Sequence, residues 1–323
     1  MTTKLSLIVP VYNGGKFIAG LGENFLNIHQ ALGNVEFIVI NDGSRDDTLA
    51  QLQALFAEHS YLQHHLIDTP NGGVSRARNL ALEKASGEFV MFMDHDDQLN
   101  PQELGRFLEV MDTQSADLLQ FDVEEKFQLG DGVKVMDLAK YMNELSFMSA
   151  VWSYIYRRDL IESLKLRFIP GMAYLEDGVF LLEYMLACKK VAATHQKVYL
   201  YVDNPDSVMR KKRTAEQTQK YLDDIGLSVK EYTRIMKADK QPEVSKRLLE
   251  IRDSFQFIYI TSMLKNRISA AEMFRRLQDV CYDYQLKGYP SRFNQRMRTR
   301  ILCALFRSKT ALQALTTSKI MAR

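Results

Sequence analysis

Residues 71–101 read NGGVSRARNLALEKASGEFVMFMDHDDQLNP. Residues 75–85 have helical spacing and end at Gly87, a helix-stop signal. Residues 89–93 are uniformly apolar, as a strand buried on both faces requires, and they run straight into Asp94-His95-Asp96-Asp97. A second helix is predicted from Pro101 to Met111, with proline near its start. Three carboxylates within four residues repel one another at the end of a buried strand, and a divalent cation offsets that repulsion. Oxygen donors suit Mg2+ or Mn2+, which bind substrate phosphates as well. The alternative on these residues alone is a solvated acidic turn preceding the helix at Pro101.

The same alternation extends outward. Residues 5–11 form an apolar run ended by Asn13-Gly14-Gly15, residues 16–32 have helical spacing, and residues 35–40 form a second apolar run before Asn41-Asp42-Gly43-Ser44. A helix is expected over 46–58 and strands over 62–67 and 118–121. Strands alternating with helices imply right-handed βαβ units and a mostly parallel sheet of the α/β class. Ligands in such sheets bind beyond the carboxyl ends of the strands, where this chain carries Tyr12-Asn13, Asp42-Gly43-Ser44 and the acidic cluster. Residues 126–210 are less regular, with a strand expected over 198–202. From Thr214 onward the pattern is helical.

Of the 323 residues, 46% are hydrophobic and 25% charged, which excludes wholesale disorder. The longest apolar stretches have about ten residues, half of what a membrane span needs. The first residues lack the pattern of a secretory signal. Three widely spaced cysteines suggest neither a zinc site nor a disulfide framework and fit a reducing cytoplasm. No GxGxxG follows a strand, which disfavours a nicotinamide enzyme. The net charge is +2, yet no acidic residue follows Asp283, and nine basic residues from Lys287 to Arg323 leave the remainder at −7. This tail alternates its basic residues with Met297, Ile301, Leu302, Leu305 and Phe306 at helical spacing, as an interfacial helix does on an anionic surface.

Five segments in order resemble the family 2 glycosyltransferases, which have the GT-A fold. They are SLIVPVYNGGKFI, VEFIVINDGSRDDT, residues 71–101, VWSYIYRRDLI and YLEDGVFLLEYM. The resemblance covers residues 4–210 and points to the bacterial polysaccharide and lipopolysaccharide branches. Asn41 stands where an Asp is frequent, and Tyr154 where a Lys is frequent. The resemblance implies a catalytic domain over 1–210, a helical region over 211–323, and an inverting, metal-dependent transfer from a UDP-sugar. Pro10 and Tyr12 match the nucleotide pocket, Asp42 the group that reads the base edge, and Arg78 a bridge between the acidic turn and the nucleotide. Asp94 matches the carboxylate near the ribose and Asp96 the ligand of Mn2+ or Mg2+. Asp177 matches the general base, with Asp97, Trp152 and Glu176 as acceptor or supporting residues. His95 is read as structural, turned away by strand alternation. Arg210-Lys211-Lys212-Arg213 matches a segment that closes over the donor diphosphate. The implied acceptor is a glycan or lipid-linked glycan of capsule, O-antigen or lipopolysaccharide synthesis. The enzyme is expected in the cytoplasm, peripheral at the inner face of the membrane, with no nucleic-acid partner. The other readings are a sugar nucleotidyltransferase and a non-catalytic membrane-surface scaffold.

Overall fold

The computed structural model describes residues 3–121, 132–145, 147–202, 213–280 and 297–317. The chain divides into two compact units, 1–211 and 212–323.

The first unit opens with β1 (Leu5–Val11), α1 (Ile18–Leu32), β2 (Val35–Asp42), α2 (Thr48–Glu58), β3 (Gln63–Thr69), α3 (Val74–Leu82) and β4 (Phe89–Phe92). There follow β5 (Gln98–Leu99), α4 (Pro101–Thr113), β6 (Leu118–Gln120), β7 (Lys134–Asp137), α5 (Leu138–Glu144), β8 (Tyr154–Arg157) and α6 (Arg158–Ser163). It closes with α7 (Glu176–Ala187), β9 (Lys190–Ala193) and β10 (Tyr199–Leu200). The main sheet has the order β3-β2-β1-β4-β8-β6-β9-β7, and β10 pairs with β5 in a separate two-stranded sheet. The first four strands are mutually parallel. β8 runs against both β4 and β6, while β6 and β9 are parallel. Because β8 is reversed, its first residue lies at the edge where β1, β2 and β4 end, and so does the start of α7.

Two-residue alternation assigns the two faces of the sheet. Leu5, Leu7, Val9, Phe37 and Val39 pack with Phe25, Phe56, Leu104 and Phe107 of α1, α2 and α4 in one core. α3 covers the other face of β1 and β2. Pro10 lies in the otherwise internal β1, but past Ile8, the last residue paired with β4, so its missing N–H forfeits no bond to that strand. Asp42 is the last residue of β2 rather than part of the following turn.

The second unit contains α8 (Ala215–Ala238), α9 (Pro242–Lys265), α10 (Ala270–Asp279), α11 (Met297–Phe306) and α12 (Lys309–Thr317). Thr214 and Gln217 form a capping box at the start of α8, and Pro242 opens α9. α8 and α9 pack antiparallel, with Tyr232 against Phe255 at 4.4 Å between ring centres. Phe306, read from the sequence as part of a lipid-facing stripe, is instead fully buried, with its ring 5.4 Å from that of Phe257. Burial among neighbouring helices satisfies its apolar surface, so it belongs to the core of this unit. No helix among the described residues is long and apolar enough to cross a membrane. Arg210, Lys211 and Lys212 lie outside the described residues, as do 281–296 and 318–323 of the basic tail.

Candidate active site

The carboxyl edge of the sheet is built from turns with strict backbone requirements. Gly43 has φ +67°, and a Cβ there would lie 2.5 Å from the Asn71 nitrogen, so the turn after Asp42 admits only glycine. Asp42 is buried, and its carboxylate accepts from the backbone N–H groups of Gly72 at 2.7 Å and Gly73 at 2.9 Å. It thus ties the end of β2 to the loop that enters α3. Tyr12, just past β1, is 43% exposed, which leaves a ring face open at the same edge.

Phe92 ends β4, so the acidic residues sit in a turn and not in the strand. Strand alternation therefore does not orient His95. Its ring instead meets Phe17 edge-on at 5.6 Å and packs over Gly14, where a Cβ would be 2.6 Å away. These contacts, and not strand alternation, place the His95 ring. Asp97 is buried and already engaged: one carboxylate oxygen accepts from the Tyr199 hydroxyl and the other from the Val202 N–H, both at 2.8 Å. Burial pushes Asp97 up to about 6 against those two bonds. Asp94 and Asp96 are part-exposed. Asp94 is raised by desolvation and by the charges of Asp177 and Asp96, with Arg78 opposing.

Arg78 joins the acidic turn to α7. The resemblance implies a bridge from the acidic turn to the nucleotide; the structure buries Arg78 and joins it to carboxylates of the protein. Its Nη1 donates to Asp177 Oδ1 at 2.6 Å and to Glu176 Oε1 at 3.0 Å, while Nη2 lies 3.6 Å from Asp94 Oδ1. The rings of Phe168 and Phe92 lie 5.3 and 6.0 Å from the guanidinium. Burial alone would lower its pKa, but the three carboxylates outweigh that and raise it. Leu175 precedes the pair with φ +64°, a left-handed conformation that costs a leucine roughly 1–2 kcal/mol and turns the chain into α7. The second Asp177 oxygen accepts from the Val151 N–H at 3.2 Å.

One guanidinium cannot balance three carboxylates. Burial, followed by the charge of Asp177, raises Glu176 toward about 8, with Arg78 opposing. Relative to an ordinary value of 4.5, this contributes stability that is complete below about pH 4.5 and is lost as pH rises through about 8. Glu176→Gln, which fixes the neutral form, is expected to flatten the fall in Tm between about pH 4.5 and about pH 8. A wild-type slope in this variant would show that Glu176 is ionised throughout.

Trp152 is half-buried and stacks on Tyr199, with ring centres 4.4 Å apart. Tyr154, at the position where a Lys is frequent, is buried and donates its hydroxyl proton to the Met148 carbonyl. The edge therefore brings together Pro10, Tyr12, Asp42, Arg78, Asp94, Asp96, Asp97, Trp152, Glu176 and Asp177. Sequence reasoning missed Tyr199, Val151 and Val202. Two of these act through backbone N–H groups, which leave no mark in a sequence, and Tyr199 lies in an ordinary short strand.

Residues 6–170, just over half of the chain, match the family described as Glycosyl transferase family 2. The chain belongs to that family. This family 2 glycosyltransferase is 28% identical over 236 residues to the Escherichia coli glycosyltransferase YibD, covering 68% of this chain and 67% of YibD. It is also 28% identical over 204 residues to the Staphylococcus aureus poly(ribitol-phosphate) β-N-acetylglucosaminyltransferase TarS, covering 61% of this chain but only 35% of TarS. The structure of TarS residues 1–349 in complex with UDP superposes with a TM-score of 0.69 at 19% identity, over 99% of this chain and 92% of that one. That likeness bears on the fold, a mostly parallel GT-A sheet flanked by helices and followed by a helical region.

Among the described residues, no three acidic, histidine or cysteine side chains converge as a ready-made metal cage. Asp97 is committed to Tyr199 and Val202. Asp94 and Asp96 leave a sparse, all-oxygen donor set, which fits an Mg2+ or Mn2+ ion bound through one or two carboxylates and completed by water and a substrate diphosphate.

Proposed function

We propose that this family 2 enzyme transfers a sugar from a UDP-sugar to a hydroxyl of a bacterial surface polysaccharide, with inversion at the anomeric carbon. The observation that carries the reading is the buried Arg78 guanidinium, which pairs with both Asp177 and the part-exposed Asp94. The candidate base is thereby held beside the donor-side turn. Tyr12 offers its ring to the base of the nucleotide. Asp42, with acceptor capacity left on Oδ1 beyond its bonds from the Gly72 and Gly73 N–H groups and the Asn71 amide, accepts from the uracil N3–H. Asp94 faces the ribose. Asp96 would hold Mn2+ or Mg2+ together with the donor diphosphate, and the ion would supply charge stabilisation to the leaving group. Asp177, oriented by Arg78 and by the Val151 N–H, takes the proton of the acceptor hydroxyl as that oxygen attacks. Trp152 walls the acceptor side.

The UDP-bound TarS structure supports the choice of nucleotide, and the poly(ribitol-phosphate) acceptor in the name of TarS supports a bacterial polymer as acceptor. Such acceptors are built on lipid carriers, so an anionic membrane surface facing the basic C-terminal residues belongs to the same reading. Binding to anionic vesicles, with none to neutral ones, is the matching result.

A thermal-shift experiment tests the donor side, because a ligand bound only by the native state raises Tm by mass action. UDP is expected to stabilise the enzyme in Mn2+ more than CDP does, and Asp96→Ala to abolish the UDP effect. Equal shifts with UDP and CDP would remove the role of Asp42. An undiminished UDP shift in Asp96→Ala would remove that of Asp96.

A further inference from the structure

Tyr199 lies beyond the residues that match the family, yet its side chain touches three parts of the site. Its hydroxyl accepts from the Asp94 N–H at 3.0 Å and donates to Asp97 Oδ2 at 2.8 Å. Its ring lies under Trp152 at 4.4 Å, nearly parallel at 29°. The residue before Trp152 is Val151, whose N–H holds Asp177. The strand that carries Tyr199 pairs with β5, directly after the acidic turn: Tyr199 lies opposite Leu99, and the Asn100 N–H donates to the Val198 carbonyl. The Val202 N–H completes the hold on Asp97. The acidic turn is thus gripped at Asp94, Asp97, Leu99 and Asn100 by residues about a hundred positions away in the chain. Arg78 links the two acidic sites on one side, and the path Asp97–Tyr199–Trp152–Val151 links them on the other.

We propose that Tyr199 is a positioning residue. Its hydroxyl fixes the backbone at Asp94 and the carboxylate of Asp97, so that Asp94 and Asp96 are presented to the donor in one geometry, tied through Trp152 to the segment that orients Asp177. Without the hydroxyl the Asp94 N–H and one Asp97 oxygen lose their partner, and the turn is free to relax. The ring alone cannot replace this, because stacking on Trp152 places Tyr199 but does not reach Asp94 or Asp97.

The inference rests on the donor-side reading of Asp94 and Asp96, and the test separates the two. UDP affinity in Mn2+ is measured by calorimetry for the wild type, Tyr199→Phe, Asp97→Asn and the double variant, with Tm recorded for each. Wild type that fails to bind UDP in Mn2+ would defeat the donor-side reading itself. Given wild-type binding, Tyr199→Phe is expected to weaken UDP by about tenfold, the scale of one lost buried hydrogen bond. The double variant should lose little more than Tyr199→Phe alone, because Asp97→Asn acts on the Tyr199–Asp97 bond that Tyr199→Phe already removes along with the Asp94 N–H bond. A lowered Tm with wild-type UDP affinity, or additive losses in the double variant, would overturn the proposal by reducing Tyr199 to a structural role. If Tyr199→Phe is not recovered folded, Asp97→Asn decides alone: weakened UDP binding supports the proposal, and wild-type affinity overturns it.

Discussion

Asp177→Asn is expected to lose roughly 10²–10⁴-fold in turnover while binding UDP with Mn2+ as the wild type does. The amide is nearly isosteric. Its oxygen can still accept from Arg78 Nη1 or from the Val151 N–H, the two groups that orient the carboxylate. What it loses is the ability to take a proton, so the acceptor hydroxyl must attack without general-base assistance. Turnover on the true acceptor and calorimetric UDP affinity separate the two effects. Near-normal turnover would remove Asp177 as the base, and lost UDP binding would assign the α7 start to the donor site or to the fold.

The second large effect is expected at Arg78. Its guanidinium is buried against Asp177, Glu176 and Asp94, and among the described residues it is the cation that pairs with all three. Removing one partner of a buried ionic group leaves the others uncompensated, typically at a cost of about 3–5 kcal/mol. Arg78→Ala is therefore expected to lose stability on that scale in denaturant unfolding, with the loss shrinking at low pH as the carboxylates protonate. Arg78→Lys keeps the charge but not the planar fork, and should recover part of the stability and less of the turnover. A stability change below about 1 kcal/mol, the value of an exposed ion pair, would show that the network is not the buried structure described above.

The parts of this fold that were legible in the sequence are those whose signal is local. Apolar runs broken by glycine-rich turns mark β1, β2 and β4, and Pro101 marks the start of α4, which the structure shows capped by the Asn100 side chain. The acidic turn stands out because it follows an apolar strand in a βαβ series, at the edge where such sheets bind ligands, whereas the carboxylates alone read equally as a solvated helix start. What was not legible depends on distance along the chain. Arg78 looks like an ordinary helix residue until residues 98 and 99 positions away are folded against it. Tyr199 reaches Asp97 across 102 positions. Phe306 reads as a lipid-facing residue because its periodic pattern records one apolar stripe and not what covers it.

The most direct test of the central claim is the stereochemistry of transfer. Acceptor oligosaccharide is incubated with an α-linked UDP-sugar and Mn2+, and the anomeric proton of the new linkage is read by NMR. A single displacement with Asp177 as base and no covalent intermediate predicts a β-linked product. An α-linked product, with configuration retained, would contradict it.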